Sequence, residues 1–190
     1  MRDDLEGMGM YERFGEFDSA KEINDKAEEL FNDGLTDDIY VLAAENGIEK
    51  DMADAYLAGD LPELCDITDA ALGKIDVEAA DLGAEEIMGD WADYIRALAG
   101  RDTIIAANIR RKGRTLKGCI AKLLIWSFEH MEPVDKEILA EAKKQLQAAK
   151  AKPKVPGFQM AYLDRTALGI PGMGRAMKMI REYYAKGEDA

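Results

Sequence analysis

The sequence predicts an all-α fold, a compact bundle of about seven to nine helices. Apolar residues recur at helical spacing along most of the 190 residues, and glycines and prolines separate these segments. The few β-branched residues never alternate with polar ones over four or more positions, so no strand is predicted. A chain of this length can bury a core without disulfides or metals. Its two cysteines, Cys65 and Cys119, are too few and too far apart for a disulfide framework or a zinc site.

The N-terminal third predicts a flexible lead-in and three helices. Glycines and charges interrupt residues 1–17, so we expect this segment to be flexible. Residues 18–60 are the predicted acidic N-terminal helical region. Its predicted boundaries are a capping box at Ser19 and Glu22, a stop at Gly34, a cap at Thr36, a stop at Asn46-Gly47 and a last stop at Gly59.

Residues 61–149 are the predicted central helical bundle. The most apolar of its helices covers residues 115–130, and its stripe of Leu116, Ile120, Leu123, Leu124 and Phe128 marks it as the expected centre of the core. The other predicted helices cover residues 67–82, 84–98, 102–112 and 133–148.

The C-terminal segment, residues 150–190, predicts a linker and a final helix. Lysines and prolines fill residues 150–156, which is typical of a linker. The final helix, expected over residues 174–185, follows a glycine-rich turn that begins at Gly169.

The net charge of −13 hides an opposition between the two halves of the chain. Residues 1–95 hold 28 acidic and 6 basic side chains, a net charge of −22, whereas residues 96–190 hold 10 acidic and 19 basic ones, a net charge of +9. This division would also fit an acidic N-terminal and a basic C-terminal subdomain. Such asymmetry suggests a nucleic acid partner, or a partner that itself binds nucleic acid. An acidic surface that only improves solubility is the alternative.

Two sets of residues are candidates for binding. Acidic helix faces could stand in for DNA phosphates, and a basic segment with the glycine turn could contact phosphates. The acidic candidates are Glu28, Glu29, Asp33, Asp37, Asp38, Asp51, Asp54 and Asp60, and the basic-half candidates are Arg110, Arg111, Lys112, Arg114, Lys117, Gly172, Gly174 and Arg175. The basic segment could instead close against the acidic half as an internal seam.

The glycine turn Ile170-Pro-Gly-Met-Gly174 resembles the hairpin of helix-hairpin-helix proteins, which grip a DNA backbone without reading its sequence. That family usually places a small residue four positions after the last glycine, where this chain has Lys178. The alternative is a tight turn that only sets the entry angle of the last helix.

Neither catalysis nor a cofactor is expected. His130 is the single histidine. It lies at the end of a predicted helix, and because a helix C-terminus favours a cation, this position explains the residue without catalysis. No Glu-x-x-His pair or calcium-binding loop occurs, so no metal site is expected either. We also expect a cytoplasmic protein with no membrane partner, because no continuous apolar stretch suits a signal peptide or a membrane span.

Four segments carry a resemblance to a known group of proteins. They are Tyr-Glu-Arg-Phe-Gly-Glu-Phe-Asp-Ser at 11–19, Ala-Glu-Asn-Gly-Ile at 44–48, Arg-Arg-Lys-Gly-Arg-Thr-Leu-Lys-Gly-Cys at 110–119 and Ile-Arg-Glu-Tyr-Tyr at 180–184. With them the chain resembles small acidic mobile-element proteins of Gram-positive bacteria, carried by conjugative elements, plasmids and phages. That group includes conjugation-associated proteins and type II anti-CRISPR inhibitors, which block the RNA-guided DNA nuclease.

The resemblance implies a non-catalytic inhibitor that binds an RNA-guided type II CRISPR nuclease, with or without its guide RNA, and blocks DNA binding or cleavage. The charge distribution suggests acidic mimicry of DNA as the mechanism, because such a nuclease has a positively charged channel. The alternative is a DNA-binding accessory protein of a conjugative element or phage. A third interpretation is a protein–protein adaptor, which an apolar face exposed on the N-terminal helix hairpin would favour.

Overall fold

The architecture comes from a computed structural model that describes residues 10–148 and 159–185. Within these residues the chain forms nine α-helices and one short two-stranded ladder, which confirms the predicted all-α class. The elements are α1 Ala20–Asn32, α2 Thr36–Glu45, α3 Lys50–Ala58, α4 Ile67–Leu82, α5 Glu86–Ala99, α6 Thr103–Arg110, α7 Leu116–Glu129, β1 Glu132–Pro133, α8 Lys136–Ala148, a 3₁₀ helix Met160–Arg165, β2 Ala167–Leu168 and α9 Met173–Ala185.

The start of α1 follows the capping chemistry of the sequence, whereas the start of α2 does not. Ser19 Oγ accepts a hydrogen bond from the backbone N–H of Glu22 at 3.2 Å, as the capping box predicts. The Glu22 carboxylate accepts from Asp18 N–H at 2.7 Å. Thr36 is not the cap of α2 but its first residue, because Leu35 N–H already bonds back to the carbonyl of Leu30 and turns the chain early.

The buried apolar residues form two clusters that share α4. The N-terminal cluster joins α1, α2 and α3, with the start of α4 up to Ala70. The second cluster begins at Ala71 and joins the rest of α4 to α5, α6, α7 and α9. The division therefore falls inside a helix, some ten residues beyond position 60, where the sequence suggested the end of the N-terminal region.

Residues 10–17 have no helix, yet they pack against the N-terminal cluster. The rings of Phe14 and Phe17 lie on that cluster, partly buried. The backbone N–H groups of Arg13 and Phe14 both donate to the carboxylate of the buried Glu45. This part of the predicted lead-in thus belongs to the folded unit, while residues 1–9 lie outside the described residues.

The central helix is α4, and the expectation that α7 would be central is wrong. Helix α4 packs against α5, α6 and α7, and one face of it is buried from Ala70 to Ala79. In α7 only Leu116, Cys119 and Leu123 are buried, whereas Leu124 and Phe128 are 53% and 68% exposed. The apolar residues of α7 cover more than one face, and the core reaches only the first half of the helix.

The ladder corrects the expectation that the chain has no strand. Strand β1 pairs with β2 in antiparallel register, Glu132 opposite Leu168 and Pro133 opposite Ala167. Because Pro133 lies in this ladder, the next helix begins later than predicted, at Lys136, after Asp135 Oδ1 accepts from Glu137 N–H at 2.7 Å. The predicted linker, residues 150–156, lies outside the described residues.

Candidate functional site

The eight acidic candidates lie on the N-terminal cluster, and we call them the acidic surface. They occupy the end of α1, the start of α2, the first turns of α3 and the residue after the cap of α3. Helix α1 packs on α2 and α2 on α3, which brings these segments together. The acidic surface consists of Glu28, Glu29, Asp33, Asp37, Asp38, Asp51, Asp54 and Asp60.

Three members of the acidic surface have a basic partner. Asp38 pairs with Arg13 at 2.7 Å, Asp54 with Lys50 at 2.6 Å and Glu29 with Lys26 at 2.9 Å. Hydrogen bonds from Lys50 and from the Tyr40 hydroxyl lower the pKa of Asp54. Across residues 10–148 and 159–185 the remaining five are exposed and form no ion pair: Glu28, Asp33, Asp37, Asp51 and Asp60.

Helix dipoles separate four of those five, all but Glu28, into two kinds. Asp37 and Asp51 lie in the first turns of α2 and α3, where the helix dipole stabilises a negative charge, so their positions have a structural reason. Asp33 caps the C-terminus of α1, and α1 has no basic residue in its last turn. Asp60 likewise follows the C-cap of α3. Negative charge at these two C-termini opposes the dipole, so the fold gains nothing from it.

Apolar side chains lie among these carboxylates. Phe31 and Leu35 are each 47% exposed, and the Phe31 ring meets the Tyr56 ring edge-on with centroids 6.0 Å apart. Burial raises the pKa of Tyr56, and the nearby charge of Glu28 adds to the rise. The acidic surface therefore combines unpaired charge with exposed apolar area, a combination typical of protein-binding surfaces.

The structure disperses the basic candidates. Arg110 is 1% exposed, and its Nη2 donates to Asn46 Oδ1 at 2.5 Å, so its guanidinium is not available to a phosphate. Arg114 Nη1 donates to the backbone carbonyl of Tyr183 at 2.7 Å. The side chains of Arg111, Lys112 and Lys117 are exposed.

The glycine turn precedes α9 without the geometry of a helix-hairpin-helix. Strand β2 and not a helix leads into it, and α9 begins at Met173. Gly172, Gly174 and Arg175 are exposed, and the Arg175 guanidinium lies 5.9 Å from the centroid of the Trp126 ring. The turn therefore lies against α7, at a different place from the exposed arginine and lysines that follow α6.

A buried ionic junction, which the sequence reasoning missed, joins the two clusters. Lys74 Nζ, fully buried, donates to Glu16 Oε1 at 2.5 Å and to the carbonyl of Arg111 at 2.7 Å, and it lies 3.7 Å from Glu78. Burial raises the pKa of Glu78, while Lys74 and the hydrogen bond from Leu116 N–H counteract part of that rise. The signal in the sequence was a lone lysine in the middle of α4, between Gly73 and Ile75. Lys74 and Glu78 are buried and Glu16 is partly exposed, and the charges of the junction are satisfied by one another and by the backbone, so we assign it a structural role.

Groups that could carry chemistry are few within the described ranges. His130 stacks on Trp126, with ring centroids 4.1 Å apart, and its Nδ1 lies 2.8 Å from the carbonyl of Trp126. Among residues 10–148 and 159–185 no three His, Cys, Asp or Glu side chains are arranged to hold a metal ion. None of the helices there is long and apolar enough to cross a membrane.

No protein family, curated protein or solved structure matches this chain.

Proposed function

We propose that the chain is a non-catalytic inhibitor whose acidic surface binds the positively charged nucleic-acid channel of an RNA-guided DNA nuclease. The observation that carries this proposal is the position of Asp33 and Asp60 at helix C-termini, exposed, without an ion pair in the described residues and disfavoured by the helix dipole. Carboxylates that weaken the fold they belong to are best explained by a partner outside it.

The target class follows from charge and from the resemblance. A nuclease of this kind holds nucleic acid in a basic channel and reads a short DNA motif through arginines, both of which attract carboxylates. The unpaired charges and the exposed Phe31 and Leu35 would let the surface gain electrostatic and apolar contacts at once. The resemblance to type II anti-CRISPR inhibitors makes a guide-loaded type II nuclease the first target to test.

The basic half supports the DNA-binding alternative less well. Arg110 is buried and Arg114 donates a hydrogen bond to the backbone of α9, so two of the four basic candidates between positions 110 and 114 serve the fold. The exposed Arg111, Lys112 and Lys117 remain available to phosphates. If these three side chains bind nucleic acid, they would contact guide RNA or DNA beside the acidic surface.

The test is inhibition of DNA cleavage by a guide-loaded type II nuclease, titrated with the protein before target DNA is added. We expect cleavage to fall to zero near an equimolar ratio, and the triple variant Glu28→Lys, Asp33→Lys, Asp60→Lys to lose affinity by at least about tenfold. The matched control reverses three exposed carboxylates elsewhere, Asp81→Lys, Glu85→Lys and Asp90→Lys, with the same change in net charge.

Two results would contradict the proposal. Equal loss of inhibition in both triple variants would mean that net charge alone matters, not the acidic surface. Binding to duplex DNA without the nuclease, weakened steeply by salt and lost in an Arg111→Ala, Lys112→Ala, Lys117→Ala variant, would favour the DNA-binding alternative.

A further inference from the structure

A second surface, far from the acidic one in sequence, exposes large apolar side chains. Gly169 rests on α7, since a Cβ on it would lie 2.1 Å from the carbonyl oxygen of Ser127, so the turn before α9 and the second half of α7 are neighbours. Both elements expose apolar residues at 47% to 68% of their area. We call them the apolar surface: Leu124, Ile125 and Phe128 of α7, with Leu168, Ile170 and Met173.

The elements that carry the apolar surface have a net positive charge among their exposed side chains. Helices α7 and α9 and the ladder of β1 and β2 together expose five basic side chains and three acidic ones. Six large apolar side chains exposed on neighbouring elements are a candidate interaction site, and the net positive charge around them favours an acidic partner. The basic side chains are Lys117, Lys122, Arg175, Lys178 and Arg181, and the acidic ones are Glu129, Glu132 and Glu182.

The charge pattern decides between two ways in which copies of the chain could meet. Two apolar surfaces brought face to face would place like charges opposite each other, which is unfavourable. The acidic surface is the complement: Phe31 and Leu35 are exposed there, and no basic residue occurs between Lys26 and Lys50. Apolar area and opposite charge therefore match between the two surfaces.

We propose that the chain associates with a second copy of itself, the acidic surface of one copy binding the apolar surface of the other. The same carboxylates would then serve self-association and the proposed inhibition, so the two would compete. At high concentration the acidic surface would be occupied, and dilution would release it for a target.

The test is sedimentation of the purified chain over a concentration series at low and at moderate salt. We expect association that weakens with salt, since the charges are exposed. The variants Phe128→Glu and Asp33→Lys/Asp37→Lys should each raise the dissociation constant by at least about tenfold. Ile104→Glu, at a residue 73% exposed on α6, is the matched control and should associate like the wild type.

An equimolar mixture of the two variants that do not associate is the decisive experiment. Each retains the surface that the other lacks, so an equimolar mixture should form a heterodimer through one intact contact, although neither variant associates alone. A mixture that stays monomeric would overturn the proposal, as would a wild type that is monomeric throughout. Phe128→Glu should keep its inhibition of the nuclease, which separates failure of this proposal from failure of the proposed function.

Discussion

The backbones of Gly47 and Gly73 touch where the turn after α2 crosses α4. A Cβ on Gly47 would lie 2.3 Å from the carbonyl oxygen of Gly73, and a Cβ on Gly73 would lie 2.1 Å from that of Asn46. Gly47 also has a φ of 67°, a left-handed conformation that glycine adopts without strain. This contact and the ionic junction around Lys74, one residue further along α4, together fix the N-terminal cluster against the second one.

Replacing Gly73 with alanine should therefore destabilise the fold. The new methyl group would meet backbone, which cannot rotate away, so we expect the free energy of unfolding to fall by about 1–3 kcal/mol or more. Gly174→Ala is the control, because nothing lies within 4 Å of a Cβ there and alanine favours a helix. Urea unfolding followed by circular dichroism measures both, and an equal loss in the two variants would contradict the contact.

Reversing the charge of Asp33 should stabilise the free protein. Lysine at the C-terminus of α1 would interact favourably with the helix dipole, and we expect a gain of about 0.3–1 kcal/mol in the free energy of unfolding at low salt. Asp37→Lys, four residues later in the first turn of α2, should have the opposite sign. Thermal unfolding at low ionic strength compares them. A loss of stability in Asp33→Lys would remove the argument that this carboxylate works against the fold.

Breaking the buried junction should have a large effect that depends on which partners are removed. Lys74→Met leaves Glu16 and the buried Glu78 without their cation, and we expect a loss of about 3–5 kcal/mol. Lys74→Met combined with Glu78→Gln should lose less than the sum of the two single variants. A double-mutant cycle from urea unfolding tests this coupling, and strictly additive losses would mean that the two side chains do not interact.

Glu78 should also make stability depend on pH. Its pKa is raised above the ordinary value near 4.5, so the folded chain holds this proton more tightly than the unfolded chain. The contribution of protonated Glu78 to the free energy of unfolding is thus complete below about pH 4.5, and it is lost as the pH rises through the raised pKa. Glu78→Gln does not titrate, so its free energy of unfolding relative to wild type should rise over this interval. Parallel pH profiles of the two proteins would contradict the burial of a titrating Glu78.

Local chemistry explains which parts of the fold the sequence predicted. The Ser19 cap of α1 and the αL glycines Gly34 and Gly59 are short-range signals, and the structure contains each of them. The ladder of β1 and β2 was missed because two-residue strands have no periodicity. The exposure of Phe128 was missed because helical spacing shows that a face is apolar, but not whether another element covers it.

The candidate site could be predicted only in outline. Composition showed an acidic half, but which carboxylates have partners depends on contacts such as Arg13 with Asp38, which are 25 residues apart. Arg110 looked like a phosphate ligand because its neighbours Arg111 and Lys112 are basic, yet it is the residue that faces the interior. Its burial depends on how α6 rotates against α4, a tertiary property that the local sequence does not contain.

The burial of both native cysteines allows site-specific labelling of this protein. Burial raises the pKa of Cys65 and of Cys119 to about 12, so near neutral pH both thiols are protonated and enclosed by the core. A thiol-reactive dye should therefore label a cysteine introduced at an exposed position in the native protein and leave the natural pair untouched. Dye on Asn32→Cys in one preparation and on Ala121→Cys in another, both exposed positions beside the two surfaces, would report by energy transfer which surfaces meet, with both native cysteines kept.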